Sequence, residues 1–292
     1  MRCILTLLLA FLIPLIAEEK PNIVTANTIA HDLAQRIGGD RFRVTCLLQP
    51  GIDPHLYQPV PSDVQRLAQA RLVIINGLGF EGWFDGLARE AAFTGPVVVA
   101  TAGITPRMMG DHDHPGVEVP DPHPFNAIIH GVTYAENIRD ALVAQDAVGA
   151  EGIRQRSAQV IRELRDLDAW ARQSFAVIPR ERRVIVTHHD ALGYFAQAYG
   201  FRIAAPMTAL EDGEPGARQV ADLVTFIRGT GATGIFLEYG KHPGLVTQIA
   251  REAGVRVGGD LYLDGLGPDG SPAATYPGMF RANVETILAA LR

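Results

Sequence analysis

The sequence is poor in cysteine and lacks long apolar runs except at its start. Only two cysteines occur among the 292 residues: Cys3 lies before the first apolar run, and Cys46 stands alone in the segment RVTCLL. The chain downstream of the apolar run therefore has no internal disulfide, and its core must stabilise it. We expect Cys46 to be a small buried hydrophobe on a strand.

A strong charge of one sign is also missing. The net charge is −6 and the sequence has no long run of Lys and Arg, which argues against nucleic acid as the main partner. The hydrophobic fraction of 47% and the charged fraction of 20% are those of an ordinary globular protein. A chain of this length can bury a sizeable core and form two domains.

The apolar run at the start predicts a signal peptide. Arg2 precedes the run, which extends from Ile4 to Ile16, and the polar segment EEKPN follows it. Such a run is too short to span a bilayer comfortably. We expect cleavage near Ala17, which removes residues 1–17, and export to the periplasm without a lipidation signal. A buried N-terminal helix is the alternative.

Short runs rich in β-branched residues alternate with helical stretches in the rest of the chain. Runs that are apolar on both faces and separated by helices predict parallel sheets. We therefore predict an α/β fold with two similar lobes, each a mainly parallel sheet flanked by helices. The predicted strands are residues 22–26, 43–48, 71–76 and 96–100 in the first half, and 183–188, 202–207, 234–239 and 256–263 in the second.

The segment between these two sets of strands has helical periodicity. Apolar residues recur at helical spacing from Ile153 to Ala171, with charged residues between them. A helix of about 25 residues is about 37 Å long, enough to reach across two lobes. We predict that one long rigid helix, residues 151–178, joins an N-terminal lobe, residues 18–150, to a C-terminal lobe, residues 179–292. Residues 107–123, rich in Pro, Gly, Asp and His, predict a loop.

Three polar residues follow predicted strands, a fourth closes the polar loop 107–123, and two of the four lie in a repeated Asp-Pro-His motif. His55 and His123 end the two DPH motifs, His189 follows the segment RVIVTH, and Asp264 follows the last strand. In open α/β sheets, ligands bind beyond the carboxyl ends of the strands. Three imidazoles and one carboxylate are a ligand set that suits tetrahedral Zn²⁺.

Each of these residues also has a simpler interpretation. A single loop histidine is more often solvated than a metal ligand, and Asp-Pro is common turn chemistry. Asp264 precedes a glycine and could form a turn, and the spacing does not distinguish His188 from His189. Three aspartates could orient imidazoles or cap the local backbone instead: Asp53, Asp121 and Asp190.

Two further motifs resemble known binding sequences. GLGFEG (77–82) matches G-x-G-x-x-G, but no acidic residue follows about 20 positions later. It therefore predicts a turn and a helix start, not a dinucleotide site. GDHDH (110–114), with His112 and His114, is either a weak metal-binding segment or a solvated loop. The motifs H-E-x-x-H and G-x-S-x-G are absent, so the standard metalloprotease and hydrolase signatures are missing.

Taken together, the segments resemble the metal-binding substrate-binding proteins of zinc and manganese ABC importers, the ZnuA/TroA-like family. The likeness covers nearly the whole chain after the apolar run. It implies two α/β lobes joined by one long helix, with the metal between the lobes and His55, His123, His189 and Asp264 as its ligands. The segments that carry it are GIDPHLYQPVPSDVQRLAQARLVIINGLGFEGW, DPHPFNA, VTHHDALGYFAQAYGF, GIFLEYGKHPGLVTQIAREAGVRVGGDLYLDGLG and TYPGMFRANVETILAAL.

The resemblance also implies a function. It predicts a monomeric periplasmic receptor, not an enzyme, that captures a divalent metal ion and delivers it to the membrane subunits of an ABC permease, with no nucleic acid partner. Histidine at position 189, where some manganese-binding relatives have Glu, favours Zn²⁺. Mn²⁺ is the alternative within this class, and a zinc hydrolase is the alternative from another class. Two features differ from the family: PFNA (124–127) lacks the usual Trp, and the histidine-rich loop is reduced to GDHDH.

Overall fold

The computed structural model describes residues 19–110, 116–204 and 217–292. The predicted signal peptide, His112 and His114 of GDHDH, and the end of the predicted strand 202–207 lie outside these ranges. Among the described residues, no helix is both long and apolar enough to cross a membrane.

The first half of the chain forms a parallel sheet of four strands. The central strand is buried on both faces, because Ile23 packs into the main core and Val24 into a smaller cluster on the other side of the sheet. The strands are β1 (Asn22–Thr25), β2 (Arg43–Cys46), β3 (Leu72–Ile75) and β4 (Val97–Val99), in the order β2-β1-β3-β4, and the helices are α1 (Thr28–Gly38), α2 (Pro61–Ala68) and α3 (Phe84–Glu90).

Two expectations for this half can be compared directly with the structure. Cys46 ends β2 as predicted, but it is only partly buried. GLGFEG forms a turn before α3, in which Gly77 and Gly79 have φ angles of +87° and +85°. The buried carboxylate of Glu81 accepts hydrogen bonds from the backbone of Asn76 and Gly77 and fixes this turn.

The prediction of a plain loop at residues 107–123 is wrong. The segment contains a short antiparallel hairpin, β5 (Met108–Gly110) paired with β6 (Glu118–Pro120). Three residues per strand are too few to produce a recognisable alternating pattern, and Pro and Gly dominate the composition. Helix α4 (Gly131–Gln145) follows.

The long helix α5 (Ala150–Phe175) has 26 residues and follows α4. Its buried residues recur at helical spacing, and it packs against α1 and α4. One continuous apolar core contains Ile23 of the first sheet, Leu164 of α5 and Phe236 of the second sheet. Because both lobes share this core, the helix is a rigid connection and not a flexible tether.

The second half repeats the arrangement of the first. Its four parallel strands have the order β10-β9-β7-β8, which is the order of the first sheet when each set is numbered from its own first strand. This confirms the predicted α/β fold with two similar lobes. The elements are β7 (Val184–Val186), α6 (Gly193–Tyr199), β8 (Arg202–Ala204), α7 (Ala217–Thr230), β9 (Gly234–Glu238), α8 (Gly244–Ala253), β10 (Arg256–Leu261) and α9 (Tyr276–Leu291).

Shortening a buried side chain of α5 tests the role of this helix. Leu164 is fully buried in the shared core, so we expect Leu164→Ala to lower the free energy of unfolding by about 2–5 kcal/mol. The neighbouring exposed Arg165 is the matched control, and Arg165→Ala should change the same quantity by less than about 0.5 kcal/mol. Equal losses in denaturant unfolding would contradict the shared core.

Candidate metal centre

Four side chains from distant parts of the sequence meet between the lobes: His55, His123, His189 and Asp264. One ligand atom from each lies within 4.8 Å of every other. His55 Nε2 is 3.2 Å from His123 Nε2, and His189 Nε2 is 3.2 Å from Asp264 Oδ1. The same Asp264 oxygen is 3.5 Å from His123 Nε2 and 3.8 Å from His55 Nε2.

These distances have the scale of a tetrahedral metal site. With ligand bonds of about 2.0–2.1 Å, the ligand atoms of a tetrahedral Zn²⁺ are about 3.4 Å apart. Four of the six separations, from 3.2 to 3.8 Å, bracket that value, and all six lie within 4.8 Å. The cluster therefore has the dimensions of a site for one small cation.

Three of the four residues come together because they follow strands of the two parallel sheets. His55 lies in the loop between β2 and α2, whereas His123 follows β6 of the separate antiparallel pair. His189 follows β7, and Asp264 follows β10. Carboxyl ends of parallel strands lie at one edge of a sheet, and the two lobes turn these edges toward each other. The rule that ligands bind beyond carboxyl ends applies to both sheets.

Two of the imidazoles are oriented by buried carboxylates. His123 Nδ1 is 2.9 Å from Asp121 Oδ1, and His189 Nδ1 is 2.8 Å from Glu238 Oε2. In a neutral imidazole whose Nδ1 donates to a carboxylate, Nε2 keeps the lone pair with which it can bind a metal. Arg107 Nη1 in turn contacts the other oxygen of Asp121 at 2.8 Å. These contacts fix the rings before any ligand arrives.

The three aspartates suggested by the sequence have different roles. Asp121 orients an imidazole, as just described. Asp53 instead caps the local backbone, since its Oδ1 accepts from the N–H of His55 at 2.9 Å. No hydrogen bond or ion pair of the described ranges joins Asp190 to an imidazole, which leaves the alternative that it acts on the local backbone. Glu238 orients His189 instead, because it is the last residue of β9 and lies beside the His189 loop.

The sequence missed Glu238, although a signal was present. Glu238 is the acidic residue of the predicted strand GIFLEY and lies one position before its end, close to the carboxyl end where ligands are expected to bind. The cluster contains His189 and not the adjacent His188, whose backbone N–H donates to Glu238 Oε1 at 2.8 Å.

The charges of the cluster favour a bound cation. Burial lowers the pKa of His189, but the carboxylates of Asp264 and Glu238 outweigh burial and hold this pKa well above its usual value. Burial alone would raise the pKa of Asp264, yet the neighbouring imidazoles, His189 foremost, hold it well below the usual range. Asp264 is therefore an anion. The pKa of His123 is lowered by burial, which Asp121 only partly offsets.

Direct contacts between the lobes surround the cluster. Asn126, three residues after His123, donates through Nδ2 to the carbonyl oxygens of Ala191 at 3.0 Å and Leu263 at 2.9 Å. It thereby connects the His123 loop of the first lobe to the His189 and Asp264 loops of the second.

Within the first lobe, Phe80 packs edge-on against His55, with ring centroids 5.0 Å apart. The fold and the site define a two-lobed binding protein with a cluster of potential metal ligands between its lobes.

Comparison with known proteins places the chain in a family. The model of the family described as "zinc-uptake complex component A periplasmic" matches residues 23–290. The manganese-binding lipoprotein MntA of Halalkalibacterium halodurans is 32% identical over 275 residues, covering 94% of this chain and 89% of the relative. The iron-binding protein YfeA of Yersinia pestis is 34% identical over 271 residues, covering 92% of this chain and 86% of the relative.

A solved structure has the same fold. The periplasmic zinc-binding protein TroA of Treponema pallidum superposes with a TM-score of 0.84 at 28% identity, covering 94% of this chain and 99% of that chain. The chain belongs to the family of periplasmic zinc-uptake component A proteins. It is a metal-binding substrate-binding protein of an ABC importer. This membership confirms that the chain is not an enzyme, which removes the zinc hydrolase alternative.

Removing the carboxylate that orients His189 tests the predicted role of Glu238. We expect Glu238→Gln to weaken zinc binding about 10- to 100-fold, because an amide cannot accept from the imidazole and two backbone N–H groups together. Asp190→Asn is the matched control and should leave affinity unchanged. Equal affinities for the two variants in calorimetric titrations would contradict the assignment.

Proposed function

We propose that the chain captures one Zn²⁺ between its lobes through His55, His123, His189 and Asp264, and delivers it to an ABC permease. The observation that carries this proposal is the convergence of three imidazole nitrogens and one carboxylate oxygen at tetrahedral spacing. All four ligands are side chains of one chain. A site without an open coordination position suits binding and not hydrolysis.

The chemistry of the ligand set supports Zn²⁺ as the preferred ion. Imidazole nitrogen suits zinc, whereas Mn²⁺ prefers carboxylate, carbonyl and water oxygens in octahedral geometry. A site with a given set of N and O ligands also generally binds Zn²⁺ more tightly than Mn²⁺. With three nitrogens and one carboxylate as ligands, both arguments point to the same ion.

Mn²⁺ is the second candidate, and the relatives favour it. MntA of Halalkalibacterium halodurans is named as manganese-binding, and PsaA of Streptococcus pneumoniae, 27% identical over 277 residues, belongs to a manganese ABC transporter. YfeA is named as iron-binding and TroA as zinc-binding. Related proteins are therefore named for different ions, and the metal must be assigned from the ligands and by experiment.

The remaining parts of the proposal concern location and assembly. We place the mature protein in the periplasm after removal of residues 1–17, supported by the family description. Its partners are the membrane subunits of the importer, which receive the metal. Because one chain supplies all four ligands, a monomer suffices. The lobes we propose are residues 18–150 and 179–292, with the helix at 151–178 between them.

Competition between the two ions tests the choice of metal. We expect metal-free protein, purified without a metal-binding tag, to bind one Zn²⁺ per chain and to exchange bound Mn²⁺ for Zn²⁺ in calorimetric titrations. The physical reason is the nitrogen-rich, four-ligand set. Tight binding of Mn²⁺ together with weak binding of Zn²⁺ would overturn the choice of zinc.

Two neighbouring histidines provide the control for the location of binding. His189→Ala removes a ligand and should weaken zinc binding more than about 100-fold. His188→Ala changes the adjacent residue, whose ring lies outside the cluster, and should retain zinc binding. If His188→Ala lost binding and His189→Ala retained it, the assignment of this ligand would be wrong.

A further inference from the structure

His55 differs from the other residues of the cluster in how it is held. Its side chain is 31% exposed, compared with 3% for His123 and 10% for His189. No hydrogen bond from a described residue reaches its Nδ1, whereas the other two imidazoles each contact a carboxylate through this atom. The position of the His55 ring must therefore be set by the backbone that carries it.

That backbone is held by Asp53. Its Oδ1 accepts from the N–H of His55 at 2.9 Å and from the N–H of Leu56 at 3.3 Å. Between them, the carbonyl oxygen of Pro54 accepts from Trp83 Nε1 at 2.8 Å. One carboxylate oxygen of Asp53 thus organises the turn that presents His55 to the cluster.

The second oxygen of Asp53 belongs to a contact between the lobes. Oδ2 forms an ion pair with Lys241 Nζ, which comes from the other lobe. Lys241 lies in the turn directly after β9, where its N–H donates to the carbonyl of Glu238 at 3.0 Å. The turn therefore begins at Glu238, which orients His189, and ends at Lys241, which contacts the His55 loop.

The two loops also meet through their backbones beside this ion pair. Gly51 and Gly240 have φ angles of +81° and +89°. A Cβ added to Gly240 would lie 2.7 Å from the carbonyl oxygen of Gly51. Only glycine permits this approach, and it brings Lys241 within reach of Asp53. The ion pair therefore lies beside a close backbone contact between the two loops, which holds Asp53 and Lys241 near each other.

We infer that Lys241 is a positioning residue for the ligand His55: by holding Asp53 from the opposite lobe, it keeps the His55 loop over the metal and slows metal release. This inference rests on the proposed function of metal capture. Because His55 is the least restrained of the proposed ligands, loss of this ion pair frees the His55 loop without any change in the shared core.

The charge of Lys241 makes the inference easy to test, since simple electrostatics predicts the opposite result. An ammonium group near a bound cation repels it, so neutralising Lys241 should tighten binding if repulsion dominates. If Lys241 positions His55, neutralising it should loosen binding. The sign of the change in the release rate therefore decides between the two effects.

The experiment measures zinc release from the full zinc-loaded protein into excess chelator. We expect Lys241→Met and Asp53→Asn each to release zinc about tenfold faster, and the double variant to match either single variant. Asn at position 53 keeps the oxygen that caps the turn. Lys241→Arg keeps the positive charge and should therefore release zinc as slowly as the wild type. Added salt should speed release from the wild type, because it screens the ion pair, but not from Lys241→Met.

The chain offers a matched control, because Lys20 is its only other lysine. Lys20 is exposed and precedes β1, at the end of the sheet away from the cluster, so Lys20→Met should release zinc at the wild-type rate. An unchanged or slower release from Lys241→Met, or additive effects in the double variant, would overturn the inference alone. Absence of zinc binding by the wild type would overturn the proposed function as well.

Discussion

The packing of α5 into one core shared by both lobes is the constraint on which the candidate site depends. Metal–ligand bonds have lengths that vary by only about 0.2 Å, yet the proposed ligands belong to loops of two lobes. The continuous apolar core around Leu164 fixes the distance between these lobes. Asn126 then joins the ligand loops across the cleft. Close packing of the core therefore fixes the distances between the loops that carry the site residues.

Within that frame, the electrostatics of the cluster are arranged for a cation. Asp264 brings a negative charge to the ligand set itself, and Asp121 and Glu238 place two more carboxylates behind the imidazoles. Buried charge of this kind is costly unless it is compensated. The Lys241–Asp53 pair lies outside this group and bridges the lobes. The carboxylates inside the cluster attract a cation, and the Lys241–Asp53 ion pair at its edge connects the two lobes.

The sequence predicted the parts of this structure that have strong local patterns. The alternation of apolar strands and helices indicated both sheets, and the position of four polar residues after strands or a polar loop indicated the cluster, although the spacing alone left His188 and His189 equivalent. Glu238 was missed because it lies inside the predicted strand GIFLEY and not after it, as Asp264 does after its own strand. The β5–β6 hairpin was missed because three-residue strands have no period. Contacts such as Asn126 to the opposite lobe depend on how the lobes pack, which no local pattern contains.

X-ray absorption at the zinc edge of the zinc-loaded protein tests the central claim most directly, because it reports the ligand atoms themselves. The account predicts four light ligands at about 2.0–2.1 Å, with the multiple-scattering pattern of three imidazoles and one further oxygen. It also predicts loss of one imidazole in His55→Ala. A shell of six oxygens, a sulfur ligand, or fewer than three imidazoles in the wild type would contradict it.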